Sequence, residues 1–280
     1  MSNRTGRWHI YVMQADGSSQ TALTRDPNCD DSTPRVSPDL KRIVYRAQCG
    51  STYGAIVGMN IDGSNPITLT NGATYDNSYP TWSPDGSKIA FASTRTMGVY
   101  NLYTMNANGS GATAILTTTN KYTSQPVWSP NGQMIAFVSN RDAVTTTTSD
   151  VYRASIDGSN WMRLTTTVAD NWYPTWSPDS STILFSSWRD GHGEIYTVSA
   201  SGGEANRLTT TVRDNWAAVY SPDGQAIAFS SVRDGYQAIY AMNLDGSNPT
   251  ALTWGVGEQH SRFPAWIANK YAVWLPLIRR

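Results

Sequence analysis

Residues 220–253 read YSPDGQAIAFSSVRDGYQAIYAMNLDGSNPTALT, and this stretch decides the fold. Ser221-Pro222-Asp223-Gly224 is turn chemistry: proline presets φ, aspartate caps its own backbone and glycine accepts positive φ. Ile227 to Ser231 and Ala238 to Met242 are short β-rich runs, and Asp245-Gly246-Ser247-Asn248 is a second hairpin turn. With the aromatic residue before Ser-Pro and the closing PTALT, the stretch holds four strands: A (around Tyr220), B (IAFSS), C (IYAM) and D (PTALT).

The pattern repeats along the chain. Ser-Pro recurs at Ser37, Ser83, Ser129, Ser177 and Ser221, in steps of 46, 46, 48 and 44 residues, and a further step of 46 lands on Ile267, after Trp266. No stretch shows sustained helical periodicity with caps. A four-stranded unit of about 45 residues is the size of a propeller blade. Read from one Ser-Pro to the next, the units are 37–82, 83–128, 129–176, 177–220 and 221–266. The opening SNRTGRWHIYVMQADGSSQTALT aligns with strands C and D, and the closing IANKYAVWLPLIRR with strands A and B. Residues 267–280 plus 1–36 are thus expected to form a composite blade that closes the ring by strand pairing and removes an exposed sheet edge. The expected fold is all-β: one six-bladed β-propeller domain spanning 1–280, each blade an antiparallel sheet of four strands.

The signature WSPDGxxIAFxSxRDGxxxIYxMxxDGSNxxxLT, nearly intact at Trp82 to Thr117, Trp176 to Thr209 and Tyr220 to Thr253, resembles the TolB-like β-propeller repeat. That resemblance covers essentially the whole chain. It implies a six-bladed ring, a role in binding proteins, and a periplasmic or extracellular location. TolB carries a separate amino-terminal domain for which this length leaves no room, so transfer of TolB's own partner is not implied.

Composition excludes several classes. Twenty-one basic and 21 acidic residues give a formal net charge of zero, and the basic residues are scattered singly rather than clustered as in a nucleic-acid binder. The longest nearly unbroken apolar run is Tyr271 to Ile278, against about 20 residues for a membrane-spanning helix, so no membrane insertion is expected. The first ten residues lack the apolar core of a secretory signal. Eleven Trp and fifteen Tyr supply ample core, and a monomer is expected.

Candidate binding residues fall on the face carrying the D-to-A and B-to-C loops, because loops on a rigid scaffold carry function. Seven residues before each Ser-Pro position stand Asp30, Asp76, Tyr122, Asp170, Asp214 and His260; the next residue is Asp31, Asn77, Thr123, Asn171, Asn215 or Ser261. Such an oxygen-rich ring admits a hard cation, with Asp76, Asp170 and Asp214 as candidate calcium ligands. Two carboxylates about 8 Å apart repel by roughly 2 kcal/mol at an effective dielectric near 20, so the ring needs compensation. The recurring Arg95, Arg141, Arg189, Arg233 and Arg279 on the same face offer it, so a structural Asp–Arg lattice is expected ahead of a cation site.

Aromatic residues cluster on this face as well. Trp172, Tyr173, Trp216, Tyr79 and Phe263 follow the acidic ring, and Trp188, Tyr236 and Trp254 lie in or near other loops of that face. Trp82, Trp128, Trp176 and Trp266 recur before Ser-Pro and read as inter-blade core. Trp172 and Trp216 stand where other blades have Ser32, Ser78, Ser124 and Arg262, and this variability sets binding on equal terms with inter-blade packing. Cys49 occupies the place of the recurring Arg, close enough to Cys29 for a disulfide; two buried thiols are the alternative. A bridge closing a loop of about 20 residues would contribute roughly 3 kcal/mol and imply an oxidising compartment.

His9, His192 and His260 lie in different blades, and no GxSxG or HExxH motif occurs, so no catalytic residue and no organic cofactor are expected. The leading expectation is a noncatalytic scaffold that binds a protein or peptide through Asp76, Asn77, Asp170, Asn171, Trp172, Asp214, Asn215, Trp216 and His260. Carbohydrate binding or processing at the same face is the second reading. A propeller excised from a larger protein, or engineered without a ligand of its own, is the third.

Overall fold

Alternating apolar and small residues in each B and C run make strands that bury both faces, as in β8 KIAFAS, where only the first residue is exposed. The computed structural model describes residues 7–14, 18–143, 148–253 and 263–265, and among them every regular element is a strand. An N-terminal pair, β1 (Tyr11–Val12) and β2 (Thr21–Ala22), is followed by five antiparallel four-stranded sheets. Blade 1 is β3 (Cys29–Val36), β4 (Arg42–Cys49), β5 (Ala55–Asn60) and β6 (Ile67–Thr68); blade 2 is β7 (Asn77–Trp82), β8 (Lys88–Ser93), β9 (Asn101–Asn106) and β10 (Thr113–Leu116). Blade 3 is β11 (Thr123–Trp128), β12 (Met134–Ser139), β13 (Asp150–Ser155) and β14 (Met162–Arg163). Blade 4 is β15 (Asn171–Trp176), β16 (Thr182–Ser187), β17 (Glu194–Ser199) and β18 (Asn206–Arg207), and blade 5 is β19 (Asn215–Tyr220), β20 (Ala226–Ser231), β21 (Ala238–Asn243) and β22 (Thr250–Ala251).

Two expectations are corrected. The Ser-Pro turn lies inside each sheet, between its first and second strands, so units counted from one Ser-Pro to the next straddle two sheets. The described residues contain five four-stranded blades, not six, and a two-stranded sheet stands beside blade 1. The strands expected from 267–280 to complete it lie outside the described residues. The N-terminal pair nevertheless packs as the C and D half of a blade. Ile10 shares a core cluster with Ile43 of blade 1, and Met13 shares one with Ala228 and Ile239 of blade 5. The Ile10 amide donates to Thr24, as Ile56, Val151, Ile195 and Ile239 donate to Thr70, Thr165, Thr209 and Thr253.

The core lies between blades. Trp128 packs with Ala90 and Leu102 of the preceding blade, and Trp176 with Ala136 and Val151. The second hairpin turn is where neighbouring blades approach most closely. Gly158, at φ 86°, faces the Ile115 carbonyl so tightly that a Cβ would collide with it, and Gly63 meets Leu23 of the N-terminal half-blade in the same way. Gly158→Ala is therefore expected to lower stability by about 2–4 kcal/mol, from a strained φ plus a backbone clash, as measured by denaturant unfolding.

The Ser-Pro turns carry a pH signature. Asp85 accepts from the Ser83 hydroxyl and the Ser87 amide and is drawn from 3.8 down to about 2, and Asp179 behaves alike with Ser177 and Ser181. The depressed carboxyl binds fewer protons folded than unfolded, so its contribution is present above about pH 4 and lost as pH falls toward 2. The melting temperature is expected to drop through that window, with a shallower drop for Asp85→Asn.

Candidate functional site

The loop face is organised by one repeated contact between blades. At five described seams the residue before strand C, with Trp8 in that register in the N-terminal half-blade, is held by the next blade, and at four of them it is held twice. Its carbonyl accepts the amide of the residue after the ring position: Asp31 to Trp8, Asn77 to Gly54, Thr123 to Tyr100, Asn171 to Ser149 and Asn215 to Gly193. Its own amide donates to the ring aspartate, Trp8 to Asp30 and Gly54 to Asp76, Ser149 to Asp170 and Gly193 to Asp214, at 2.6–2.9 Å. Asp76 also accepts from Arg46 at 2.9 Å and from the Tyr100 hydroxyl.

This geometry replaces the expected Asp–Arg lattice. Arg95, Arg189 and Arg233 donate to the side-chain oxygens of Asn77, Asn171 and Asn215 at 3.1–3.2 Å. Their guanidinium groups lie 4.3–4.8 Å from the ring centroids of Tyr103, Tyr196 and Tyr240. Successive residues of a strand point to opposite faces, so the Asn meets the arginine of its own blade while the Asp turns to the neighbouring blade. Asn77, Asn171 and Asn215 are fully buried and internally bonded. Among the described residues no three His, Cys, Asp or Glu side chains converge as metal ligands; Asp76, Asp170 and Asp214 each cap a different loop. His260, Arg262, Arg279, Trp254 and Trp266 lie outside the described residues. In blade 1, where Cys49 stands at the arginine position, Cys29 and Cys49 are joined by a disulfide across β3 and β4.

The innermost strand of every complete blade carries a bulge in register, between Ser32 and Arg35, Ser78 and Thr81, Ser124 and Val127, Trp172 and Thr175, and Trp216 and Val219. The residue four before the Ser-Pro position is left-handed throughout: Thr33, Tyr79, Gln125, Tyr173, Ala217 and Phe263 have φ between 49° and 63°. Five of these precede a proline, which from sequence alone argues for extended backbone. The bulge lets two consecutive residues face the axis, which a regular strand forbids.

The result is a funnel of about 520 Å³ at the loop-face end of the channel, lined by Ser32, Thr33, Arg46, Ser78, Tyr79, Tyr100, Tyr122, Ser124, Trp172, Tyr173 and Phe263. One wall is a chain of rings: Tyr122 stacks on Trp172 at 6.0 Å, Trp172 meets Tyr173 at 6.4 Å, and Tyr173 meets Phe263 edge-on at 5.2 Å. The rest of the lining carries hydroxyls and Arg46, whose guanidinium pairs with Asp76 behind it. Burial pushes the Tyr100 and Tyr122 phenols up, with Asp76 adding to the effect at Tyr100, so both stay neutral hydroxyls. Of the two tryptophans expected to bind, Trp172 lines the funnel; Trp216 is half-buried and is not among the lining residues. Sequence reasoning did not select Arg46, which reaches the funnel from strand B, or Tyr100, which reaches it from the residue before strand C. It placed Tyr122 only by register. The proline that recurs at 34, 80, 126, 174 and 264 was the available signal for the bulge.

Fold and site together define a β-propeller with an aromatic funnel on its loop face. The sequence matches the TolB beta propeller domain over residues 34–147, 72–172 and 143–273, and the chain belongs to that family. No curated protein matches it. Among solved structures it is similar to a protein described as TolB from Agrobacterium tumefaciens (24% identity, 88% of each chain covered, TM-score 0.75). It is also similar to TolB from Acinetobacter baumannii (20% identity, 85% of this chain and 61% of that one, TM-score 0.71). Oligogalacturonate lyase from Vibrio parahaemolyticus shares the fold at 14% identity, with 87% of this chain and 72% of that one covered and a TM-score of 0.60.

If the aspartate ring works as inter-blade caps, Asp214→Ala frees the Gly193 amide and lowers stability by about 1–2 kcal/mol. Thermal unfolding should show this loss equally with and without added calcium.

Proposed function

We propose that this propeller is a noncatalytic recognition module that binds a protein segment in extended form in the loop-face funnel. The observation that carries the proposal is the continuous aromatic wall from Tyr122 through Trp172 and Tyr173 to Phe263, facing hydroxyls across about 520 Å³. Large amphipathic rings on rigid backbone offer contact area at little entropic cost, and pockets of this size with few polar groups are typical binding sites. Membership of the TolB beta propeller family supports a protein-interaction role at the family level. The six-bladed closure belongs to this reading, with the described N-terminal half-blade as its support. The Cys29–Cys49 bridge and the family resemblance support work in an oxidising, periplasmic or extracellular compartment. Calcium at the channel mouth is not needed for this mode of binding.

A glycan is the second reading, favoured by the Trp172 face standing beside the Ser124 and Tyr122 hydroxyls. The two separate cleanly. Linear peptides selected from a random library on the immobilised protein are expected to lose about tenfold or more in affinity on Trp172→Ala and on Tyr173→Ala, with unfolding midpoints retained. Selected peptides that bind these variants as tightly as the parent would refute the funnel as the site. Quenching of tryptophan fluorescence by soluble oligosaccharides that is lost in Trp172→Ala, with no peptide recovered, would support the glycan reading instead.

A further inference from the structure

Below the funnel the channel narrows to a cavity of about 40 Å³. Its wall is mostly apolar, with Pro80, Pro126, Pro174 and Pro264 from four blades and Val127 and Val219 between them. One residue breaks the pattern. Two positions before Ser-Pro the blades carry Thr81, Val127, Thr175 and Val219, but blade 1 carries Arg35, and Ala265 follows in register. A guanidinium has five donors. Among the described residues the one side-chain hydrogen bond of Arg35 goes from Nη1 to the Pro34 carbonyl at 3.0 Å. Burial brings its pKa down to about 10, and among the described residues no carboxylate opposes that shift.

Two further polar groups in the same wall lack partners. Thr33 and Gln125 are 8% and 5% exposed, and neither Thr33 Oγ1 nor Gln125 Nε2 has a hydrogen-bond partner. The Gln125 oxygen accepts from the Tyr173 amide at 2.6 Å, which fixes the side-chain amide and leaves its NH₂ as the available donor. A half-buried cation with a single side-chain partner, beside two buried polar atoms without partners, is costly unless a complementary group joins them.

We propose that this cavity binds a carboxylate, held by the Arg35 guanidinium with Gln125 Nε2 and Thr33 Oγ1 as auxiliary donors. Arg matches a planar carboxylate with two parallel hydrogen bonds. A space of about 40 Å³ holds roughly three water-sized groups, the size of a carboxylate and smaller than a phosphate with its oxygens. Thr33, Tyr79, Tyr173 and Phe263 border both funnel and cavity, so a chain lying in the funnel can place its terminal carboxylate below. This source of the carboxylate rests on the peptide reading; the cavity's preference for the group itself does not.

The test is thermal unfolding of the full chain in sodium acetate against sodium chloride at equal ionic strength. Acetate is expected to raise the melting temperature of the parent protein. Arg35→Thr, which installs the residue of blades 2 and 4, is expected to fold at least as stably and to weaken the acetate response about tenfold or more, the loss typical of a charge-assisted pair. Gln125→Leu should weaken it severalfold. An equal response in the parent and in Arg35→Thr, or none in the parent, overturns the proposal. The source is distinguished with trialanine, its C-terminal amide and N-acetyl-aspartate amide. Saturation by trialanine at lower concentration than acetate, with no response to the amide, supports a peptide terminus. A response to N-acetyl-aspartate amide supports an acidic side chain, and a response to acetate alone a small free acid. Trp172→Ala should weaken the trialanine response and leave the acetate response intact, so failure of the funnel reading is separable from failure of the carboxylate site.

Discussion

A four-stranded sheet of this size has two apolar faces and can bury neither against itself, so each blade depends on the bracket that fixes it to the next. In that bracket the residue before strand C is gripped by a backbone amide and, at four of the five described seams, by an aspartate carboxylate from the neighbouring blade. Hydrogen bonds to a charged acceptor are stronger than neutral ones, and the repeated bracket sets the angle at which Trp82, Trp128 and Trp176 meet their seams. The Trp82 and Trp176 indoles extend the grip inward by donating to the Arg35 and Val127 carbonyls of the preceding blade.

With the blades fixed, the innermost strands meet around the axis, and the left-handed bulge decides what they present there. A residue such as Tyr79 or Tyr173 at positive φ costs about 1–2 kcal/mol against its extended form. The same conformation recurs at every described blade, so it belongs to the architecture. Its functional consequence is local: blade by blade, the pair of residues turned to the axis sets the chemistry. Ser32, Ser78 and Ser124 make one side polar, whereas Trp172, Tyr173 and Phe263 make the other apolar. Arg35 introduces the charge at the bottom.

The arginines after strand B show how burial reassigns a charge. An arginine and an aspartate on one face of a ring suggest an ion pair for Arg95, Arg189 and Arg233. In the structure each guanidinium lies over a tyrosine and bonds a neutral Asn, while the aspartate beside it in Arg-Asp, at 190 and 234, accepts from that tyrosine's hydroxyl. The blade is thereby locked to its own A strand. Blade 1, which lacks the arginine, has the Cys29–Cys49 bridge at the same place.

The repeat made the propeller class, the four-strand order and the proximity of Cys29 to Cys49 legible, because turn chemistry and strand alternation act over a few residues and recur in register. The departure of Trp172 from the repeat was also legible, since its counterparts differ in kind. What the sequence could not determine was which of two adjacent strand residues faces the axis, because the bulge breaks the alternation on which that reading rests. The partners of the aspartates, the entry of Tyr100 and Arg46 into the funnel, and the meeting of Arg35, Thr33 and Gln125 in one cavity were decided by tertiary structure. Each depends on contacts between blades, which no local preference of the chain encodes.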